Sequence, residues 1–366
     1  MDMQRTHLQA PPGTMPSLAS HPDGIPYRAT CREDELWLKG DAGRDRTSTW
    51  RLLRRSDGLE LEWFGPGSGI PPRTTDLLAA LEVAFARHPD QGRLRLAAPL
   101  VNEDVDTLLR SGILLRQEDG QLVVHVELLW QQPRLWLCPP TPPCFPVSHV
   151  LSEGRRHPLR PPKPVGTVYR RHIPWLDRTL SFRSVDIPHD LECFHRWMNE
   201  PEVARAWGEA GELPRHRDYL ERIAADPHAA GLISCLDGEA FGYFEMYWAR
   251  EDRIAPFYDV EDFDRGWHVL IGEPRFRGRP FITAWMPSFS HYLFLDDCRT
   301  RRIVIEPRVD NHRMIRSLGK CGYACLKEFD FPHKRAMLGM LTRERFFAER
   351  LWIPRAAAAA PSLSLL

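Results

Sequence analysis

Ten of the chain's 33 prolines fall between Pro133 and Pro164, in PRLWLCPPTPPCFPVSHVLSEGRRHPLRPPKP. Proline fixes φ and has no N–H to donate, so this stretch is not expected to form regular helix or central strand. A chain of 366 residues interrupted in this way is expected to fold as two domains joined by an ordered or semi-rigid linker. The interleaved Trp136, Leu137 and Phe145 predict that the linker packs against something. The expected partition is a flexible N-terminus over 1–30, an α/β domain over 31–132, the linker over 133–164, a second domain over 165–353 and a disordered tail over 354–366.

Composition excludes some partners. The 49 basic and 49 acidic residues cancel, which removes the electrostatic case for binding nucleic acid or an anionic membrane. No run approaches the roughly 18 apolar residues of a membrane helix. The first 27 residues are polar and Pro-rich, with no apolar core like that of a secretory signal, so the expected location is cytoplasmic. The eight cysteines include no C-x-x-C pair, and the closest two, Cys321 and Cys325, fall short of the roughly four ligands of a structural zinc site. They are expected to be reduced packing residues, and no metal is expected.

Beyond the linker, the pattern alternates clearly. Strand periodicity covers 179–186, and helical periodicity covers 190–199, ending before Pro201. A second helix is expected over 215–226. Strands over 230–237 and 240–250 meet at Asp237-Gly238, a pair that suits a tight hairpin turn. Then come a strand (265–273), an apolar helix (281–294), a strand (302–308), a helix (311–320) and two strands (324–330 and 336–342).

Between the strand at 265–273 and the apolar helix lies Arg275-Phe276-Arg277-Gly278-Arg279-Pro280. A helix N-terminus offers unpaired N–H groups and the positive end of a dipole to phosphate. Gly278 allows close approach of the backbone, and Pro280 in the first turn gives up no needed donor. Arg275, Arg277 and Arg279 add cationic charge. Further on, Asn311, Met314, Leu318, Gly322 and Tyr323 follow one another along the helix at 311–320 and past its end.

The order of elements resembles the GNAT acyltransferase fold, an α+β architecture with a mixed central sheet flanked by helices. The 275–280 loop is similar to the family's pyrophosphate loop, R/Q-x-x-G-x-G/A, with Pro280 in the last place. The Asn311 pattern is similar to N-x-x-A…Y…G-F. The blocks HPLRPPKP, FHRWMNEPEVARAW, FGYFEMYWAREDR, DRGWHVLIGE, EPRVDN and KEFDFPHKRA, between about 158 and 352, resemble the siderophore subgroup. That subgroup includes aerobactin-type N6-hydroxylysine acetyltransferases and mycobactin lysine acyltransferases.

The resemblance implies acetyl-CoA as co-substrate, held by Arg275, Arg277, Gly278, Arg279, Pro280 and Asn311. It implies His268 and Asp310 as the residues that serve the reaction, with Asp310 accepting a proton, orienting His268 or binding a substrate ammonium. Many members carry a Tyr that protonates the leaving thiolate; Leu318 stands there in this chain, so a Tyr-acid mechanism is not expected. An acceptor pocket also needs apolar walls and one or two carboxylates, for which Glu245, Asp252 and Asp264 are candidates beside His268. The implied reaction is N6-acetylation of N6-hydroxylysine in hydroxamate siderophore synthesis. N5-hydroxyornithine or a hydroxylated diamine as acceptor, and lysine with a longer acyl chain, are rival readings. A non-catalytic acyl-CoA-binding partner of a siderophore synthetase is a reading of another class. The expected partners are a small-molecule hydroxylamine and other enzymes of its pathway.

The N-terminal half carries a faint parallel. Arg93-Leu94-Arg95-Leu96-Ala97-Ala98-Pro99-Leu100-Val101-Asn102 runs into a helix that ends at Ser111-Gly112-Ile113. The later sequence from Arg302 through Pro307, Val309 and Asp310 to Gly322-Tyr323 has the same order of strand, proline, valine, polar cap, helix and Gly-hydrophobe. A degenerate half-GNAT unit is therefore expected, without CoA binding, because no Arg-rich loop precedes its helix at 77–87.

Overall fold

The computed structural model describes residues 17–40, 47–64, 72–97, 102–139, 145–152 and 154–354. Residues 1–16 and 355–366 lie outside them, as do Ala98 to Val101 of the N-terminal parallel; residues 17–30, expected to be flexible, instead carry strand and bury Leu18, Tyr27 and Ala29. The chain divides into two compact units, one of residues up to 142 with Tyr169–Ser181, the other of Pro143–Val168 with the residues from Phe182 onward. This cut differs from the sequence boundaries at 132, 164 and 165. The proline-rich stretch also carries regular structure of its own, at the positions where its prolines thin out.

In the N-terminal half, strands β1 (Ser17–Ser20), β2 (Tyr27–Arg32), β3 (Glu35–Gly40), β4 (Thr47–Arg55) and β5 (Gly58–Trp63) form an antiparallel meander. Helix α1 (Thr74–Arg87) leads to β6 (Arg93–Ala97), α2 (Asn102–Arg110), β7 (Leu115–Arg116) and β8 (Leu122–His125), then to the short α3 (Val126–Leu129) and α4 (Pro133–Trp136). Alternation drives the packing. Leu36, Leu38, Trp50, Leu52, Leu59 and Leu61 are all buried, as are Leu77, Leu78, Leu81 and Ala84 of α1.

Next come a small hairpin, β9 (His149–Ser152) and β10 (Arg155–Pro158), and strands β11 (Thr167–Ile173) and β12 (Arg178–Ser184). Three helices follow, α5 (Ile187–Met198), α6 (Pro201–Trp207) and α7 (Leu213–Ala225). The sequence reading stopped a helix before Pro201 and missed α6, which begins on that proline. Pro201 needs no donor at the first helical position, and the Glu200 carboxylate caps the turn by accepting from Val203 N at 3.1 Å. Strands β13 (Ala229–Leu236), β14 (Glu239–Trp248) and β15 (Arg265–Ile271) are antiparallel. Helix α8 (Arg279–Asp296), β16 (Arg302–Ile305), α9 (His312–Lys320), β17 (Ala324–Phe331), β18 (Lys334–Thr342) and α10 (Arg343–Ala348) complete the chain.

The two large sheets have the same topology. One runs β1-β2-β3-β4-β5-β6-β8-β7 and the other β11-β12-β13-β14-β15-β16-β18-β17. In each, the parallel pair joins the fifth and sixth strands across a single helix, α1 or α8. The shared strand order agrees with the degenerate repeat read from the sequence. One difference between the sheets bears on the site. β5 and β6 stay paired through four positions, Leu59↔Leu94 to Glu62↔Ala97. β15 and β16 pair only at Arg265↔Ile303 and Gly266↔Val304 and then part. The second sheet therefore opens a wedge between two parallel strands, and the first is closed at the equivalent place.

Both faces of β14 and β15 are covered. Tyr243 and Leu270 pack under α5 and α7 with Phe194, Trp197 and Leu220. Phe244 and Trp267 point the opposite way, toward Trp285 and Phe289 of α8. No helix among the described residues is long and apolar enough to cross a membrane.

Candidate active site

Strand register places the reactive groups. Glu245 on β14 lies directly opposite His268 on β15, so their side chains share the face turned toward α7. His268 Nδ1 is 3.1 Å from Glu245 Oε1, and its Nε2 is 2.8 Å from Glu306 Oε1. Glu306 follows β16 immediately, at the point where β15 and β16 have separated. The result is a row of carboxylate, imidazole and carboxylate across the wedge.

Each carboxylate has further partners. Tyr219 of α7 and Tyr243 of β14 donate to Glu245 Oε2 at 2.8 and 3.0 Å. Tyr247 donates to Glu306 Oε2 at 2.8 Å. Lys334 Nζ donates to the Glu306 carbonyl at 2.7 Å and lies 3.6 Å from its carboxylate, with Arg253 at 3.7 Å. Gly266 makes the Tyr247 contact possible, because a Cβ there would overlap the Tyr247 ring that sits opposite. Trp207 of α6 stands edge-on to the His268 ring at 6.4 Å, giving the site an aromatic wall.

The charges follow from these neighbours. Burial alone would depress His268, but the Glu306 charge and the hydrogen bonds to Glu245 and Glu306 outweigh it and raise the imidazole to about 10. Burial would raise Glu306, yet the facing His268 charge holds it at about 2. Glu245 is likewise lowered against its burial, chiefly by His268 and then by the two tyrosines. At neutral pH the row is carboxylate, imidazolium, carboxylate. Burial and the Glu245 charge keep Tyr219 and Tyr243 as phenols. Asp252 is raised by burial and by Glu306.

Of the residues named from the sequence, Glu245 and His268 come together. Asp310 does not join them: its carboxylate is exposed and held by Arg308, at 3.0 and 2.8 Å, and the carboxylate that reaches His268 is Glu306 of the same EPRVDN block. Asp264 is also elsewhere. It is fully buried and accepts from Arg302, Tyr258 and Glu261 N at 2.7 to 3.0 Å, which leaves it no role toward an acceptor. Sequence reasoning missed Glu306, Tyr247 and Lys334. Glu306 and Lys334 sat inside blocks already singled out, and period-two alternation from Tyr243 would have put Tyr247 on the same face.

The phosphate loop is built as expected at its backbone. Gly278 has φ +103, and beyond its chain neighbours nothing lies within 4 Å of where a Cβ would stand, so the turn requires glycine and leaves open space. It is the N-cap of the 18-residue α8, with no side-chain cap, and the first backbone bond returns from Ile282 N to Gly278 O. The N–H groups of Arg279 and Phe281 have no acceptor within the helix. The arginines divide the work. Arg277 is bound by Glu200, Glu202 and the Ile271 carbonyl, which makes it a brace for the loop. Arg275 pairs with Glu239 and covers Phe276. Arg279 is exposed at the helix start. These features fit a pyrophosphate.

Asn311 caps α9 by accepting from Met314 N at 3.1 Å. Leu318, where many relatives of the resembled family carry Tyr, is fully buried in core. The nearby Tyr323 hydroxyl is tied to Trp267 Nε1 and Ser290 and raised by burial, so it does not replace that acid.

Comparison with known proteins agrees with this geometry. Residues 186–331 match the acetyltransferase (GNAT) domain family. The chain is 44% identical over 230 residues to the N(6)-hydroxylysine O-acetyltransferase of Escherichia coli, covering 62% of this chain and 72% of that one. It is 35% identical over 303 residues to the acyltransferase ato1 of Omphalotus olearius, covering 75% and 76%. It is 45% identical over 222 residues to the N(5)-hydroxyornithine:cis-anhydromevalonyl coenzyme A-N(5)-transacylase of Beauveria bassiana, covering 56% of this chain and 49% of that protein. The parted strands, the uncapped glycine turn and these relatives together place the chain in the GNAT family, as an acyltransferase that takes its acyl group from acyl-CoA.

Proposed function

We propose that the chain acetylates the hydroxylamine nitrogen of N6-hydroxylysine with acetyl-CoA, forming a hydroxamate of the kind used in siderophores. The observation that carries the reading is the Glu245–His268–Glu306 row at the mouth of the wedge. Acyl transfer must move one proton from the attacking nitrogen to the leaving sulfur. A hydroxylamine is a weaker base than an alkylamine and is already neutral near pH 7, so no strong base is needed before attack. Nitrogen adds to the thioester carbon, the C–S bond breaks, a carboxylate of the row takes the nitrogen's proton, and the His268 imidazolium supplies one to the thiolate. A backbone N–H of β15 polarises the thioester oxygen. In this reading the Arg279 end of α8 holds the pyrophosphate and Asn311 lies along the pantetheine, while Asp310, paired with Arg308, takes no part in the proton transfer.

Similarity to the Escherichia coli enzyme supports hydroxylysine, and similarity to the Beauveria protein supports N5-hydroxyornithine as the second acceptor, one methylene shorter. Seven free cysteines among the described residues suit a reducing cytoplasm, where other enzymes would supply the hydroxylated amino acid and consume the hydroxamate. The test offers acetyl-CoA with N6-hydroxylysine, N5-hydroxyornithine and lysine while following released CoA thiol. The order expected is hydroxylysine, then hydroxyornithine, then lysine. A preference for plain lysine overturns the hydroxylamine reading.

A further inference from the structure

Both oxygens of the Glu306 carboxylate are engaged, Oε1 by His268 and Oε2 by Tyr247, yet another cation stands beside them. Arg253, from the segment that links β14 to β15, has its Nη2 3.7 Å from Glu306 Oε1, beyond hydrogen-bond reach, and its side chain is 50% exposed. It makes no hydrogen bond among the described residues. His268, bonded to the same oxygen, has a side chain 24% exposed, so the row reaches solvent. Arg253 and Lys334 lie 5.5 and 5.4 Å from the centre of one Phe331 ring, and His333 stacks on that ring at 5.4 Å. Burial lowers Lys334 and His333, and the Arg253 charge lowers them further. The rim beside Glu306 thus gathers positive charges that repel one another. Asp252, next to Arg253 in the chain, has the opposite need. Its Oδ1 accepts from Ile254 N at 2.9 Å, and no hydrogen bond reaches its Oδ2 among the described residues. Burial and the Glu306 charge raise its carboxyl, and a cation beside it would keep it ionised.

We propose that Asp252 and Arg253 read the α-amino-acid end of the acceptor, Asp252 taking its α-ammonium and Arg253 its α-carboxylate, while the nucleophilic nitrogen stays at His268. This assignment rests on the hydroxylamine reading of the acceptor and adds what the far end of that molecule must carry. Arg253 and His268 flank one oxygen of Glu306, and an extended lysine-sized side chain spans about 6 Å from its terminal nitrogen to Cα, so one molecule reaches both. A guanidinium meets a carboxylate through paired N–H donors. Screening of Glu306 alone would need no Arg253, since Lys334 already lies 3.6 Å from its carboxylate. A hydroxylated diamine carries the ammonium without the carboxylate, so Arg253 selects against it.

The full chain is assayed with acetyl-CoA and N6-hydroxylysine, its α-carboxamide, N-hydroxycadaverine or 6-(hydroxyamino)hexanoate, following released CoA thiol, as wild type, Arg253→Gln and Asp252→Asn. The wild type is expected to favour N6-hydroxylysine over the carboxamide and N-hydroxycadaverine by about tenfold or more in kcat/KM. Arg253→Gln should raise KM about tenfold for the two acceptors that carry a carboxylate and by less than about twofold for the two that lack it. Asp252→Asn should instead raise KM for the acceptors that carry an ammonium and spare the hexanoate. Equal use of all the acceptors by the wild type, or a variant whose effect is the same with and without the group assigned to it, overturns this assignment and leaves the hydroxylamine reading standing. No turnover of any hydroxylamine by the wild type overturns both.

Discussion

His268 Nε2 lies 2.8 Å from Glu306 Oε1, and this hydrogen bond joins two strands whose backbones have already parted. Glu306 is thus the main reason that His268 is a cation at neutral pH. Glu306→Gln keeps the shape and removes the charge. It is expected to lower kcat about 100-fold. In the wild type, kcat/KM should hold its value into alkaline pH and fall above about 10, where His268 loses its proton. In the variant that limb should move down by more than one pH unit. A limb that stays in place shows that His268 does not set it.

The same pair predicts how stability depends on pH. His268 has a folded value of about 10, above the ordinary 6.5. Its contribution is complete below pH 6.5 and lost as pH rises through 10. Glu306 is held at about 2, below the ordinary 4.5, so its contribution is present above 4.5 and lost as pH falls toward 2. Urea unfolding at pH 6, 8 and 10 should show declining stability in the wild type and a flatter profile in His268→Gln. Parallel profiles contradict the assignment.

Much of the architecture could be read from local pattern. The β13–β14 hairpin follows from Asp237-Gly238, and α8 from its apolar run and glycine turn, because these signals lie within a few residues of each other. The partners of His268 are a different matter. Glu306 and Glu245 meet it through the register of three strands, and nothing in the spacing of a single segment distinguishes Glu306 from Asp310 in EPRVDN. Asp264 shows the converse: a carboxylate beside a motif reads as a site residue until Arg302, which follows α8, is seen to occupy it.

Asp264→Asn therefore tests structure against function. Removing one partner of this buried pair should cost roughly 3–5 kcal/mol of stability. The kcat of the folded fraction should be unchanged. Loss of turnover in protein that remains fully folded would return Asp264 to the acceptor site.

The loop arginines are expected to separate in the same way. Arg279→Gln should raise the KM for acetyl-CoA about tenfold with kcat little changed, since it removes charge from an exposed helix start. Arg277→Gln should mainly loosen the brace to Glu200, Glu202 and Ile271, lowering Tm by about 2–4 °C. Equal KM effects for the two variants would show that both contact the donor.

The most direct test of the account follows hydroxamate formed from acetyl-CoA and N6-hydroxylysine, read as its iron(III) complex, for wild type and His268→Gln. N-acetylation gives the coloured chelate and O-acetylation does not. The account predicts chelate from the wild type and a loss of about 100-fold or more in the variant. Wild-type turnover without chelate, or a variant as fast as the wild type, contradicts it.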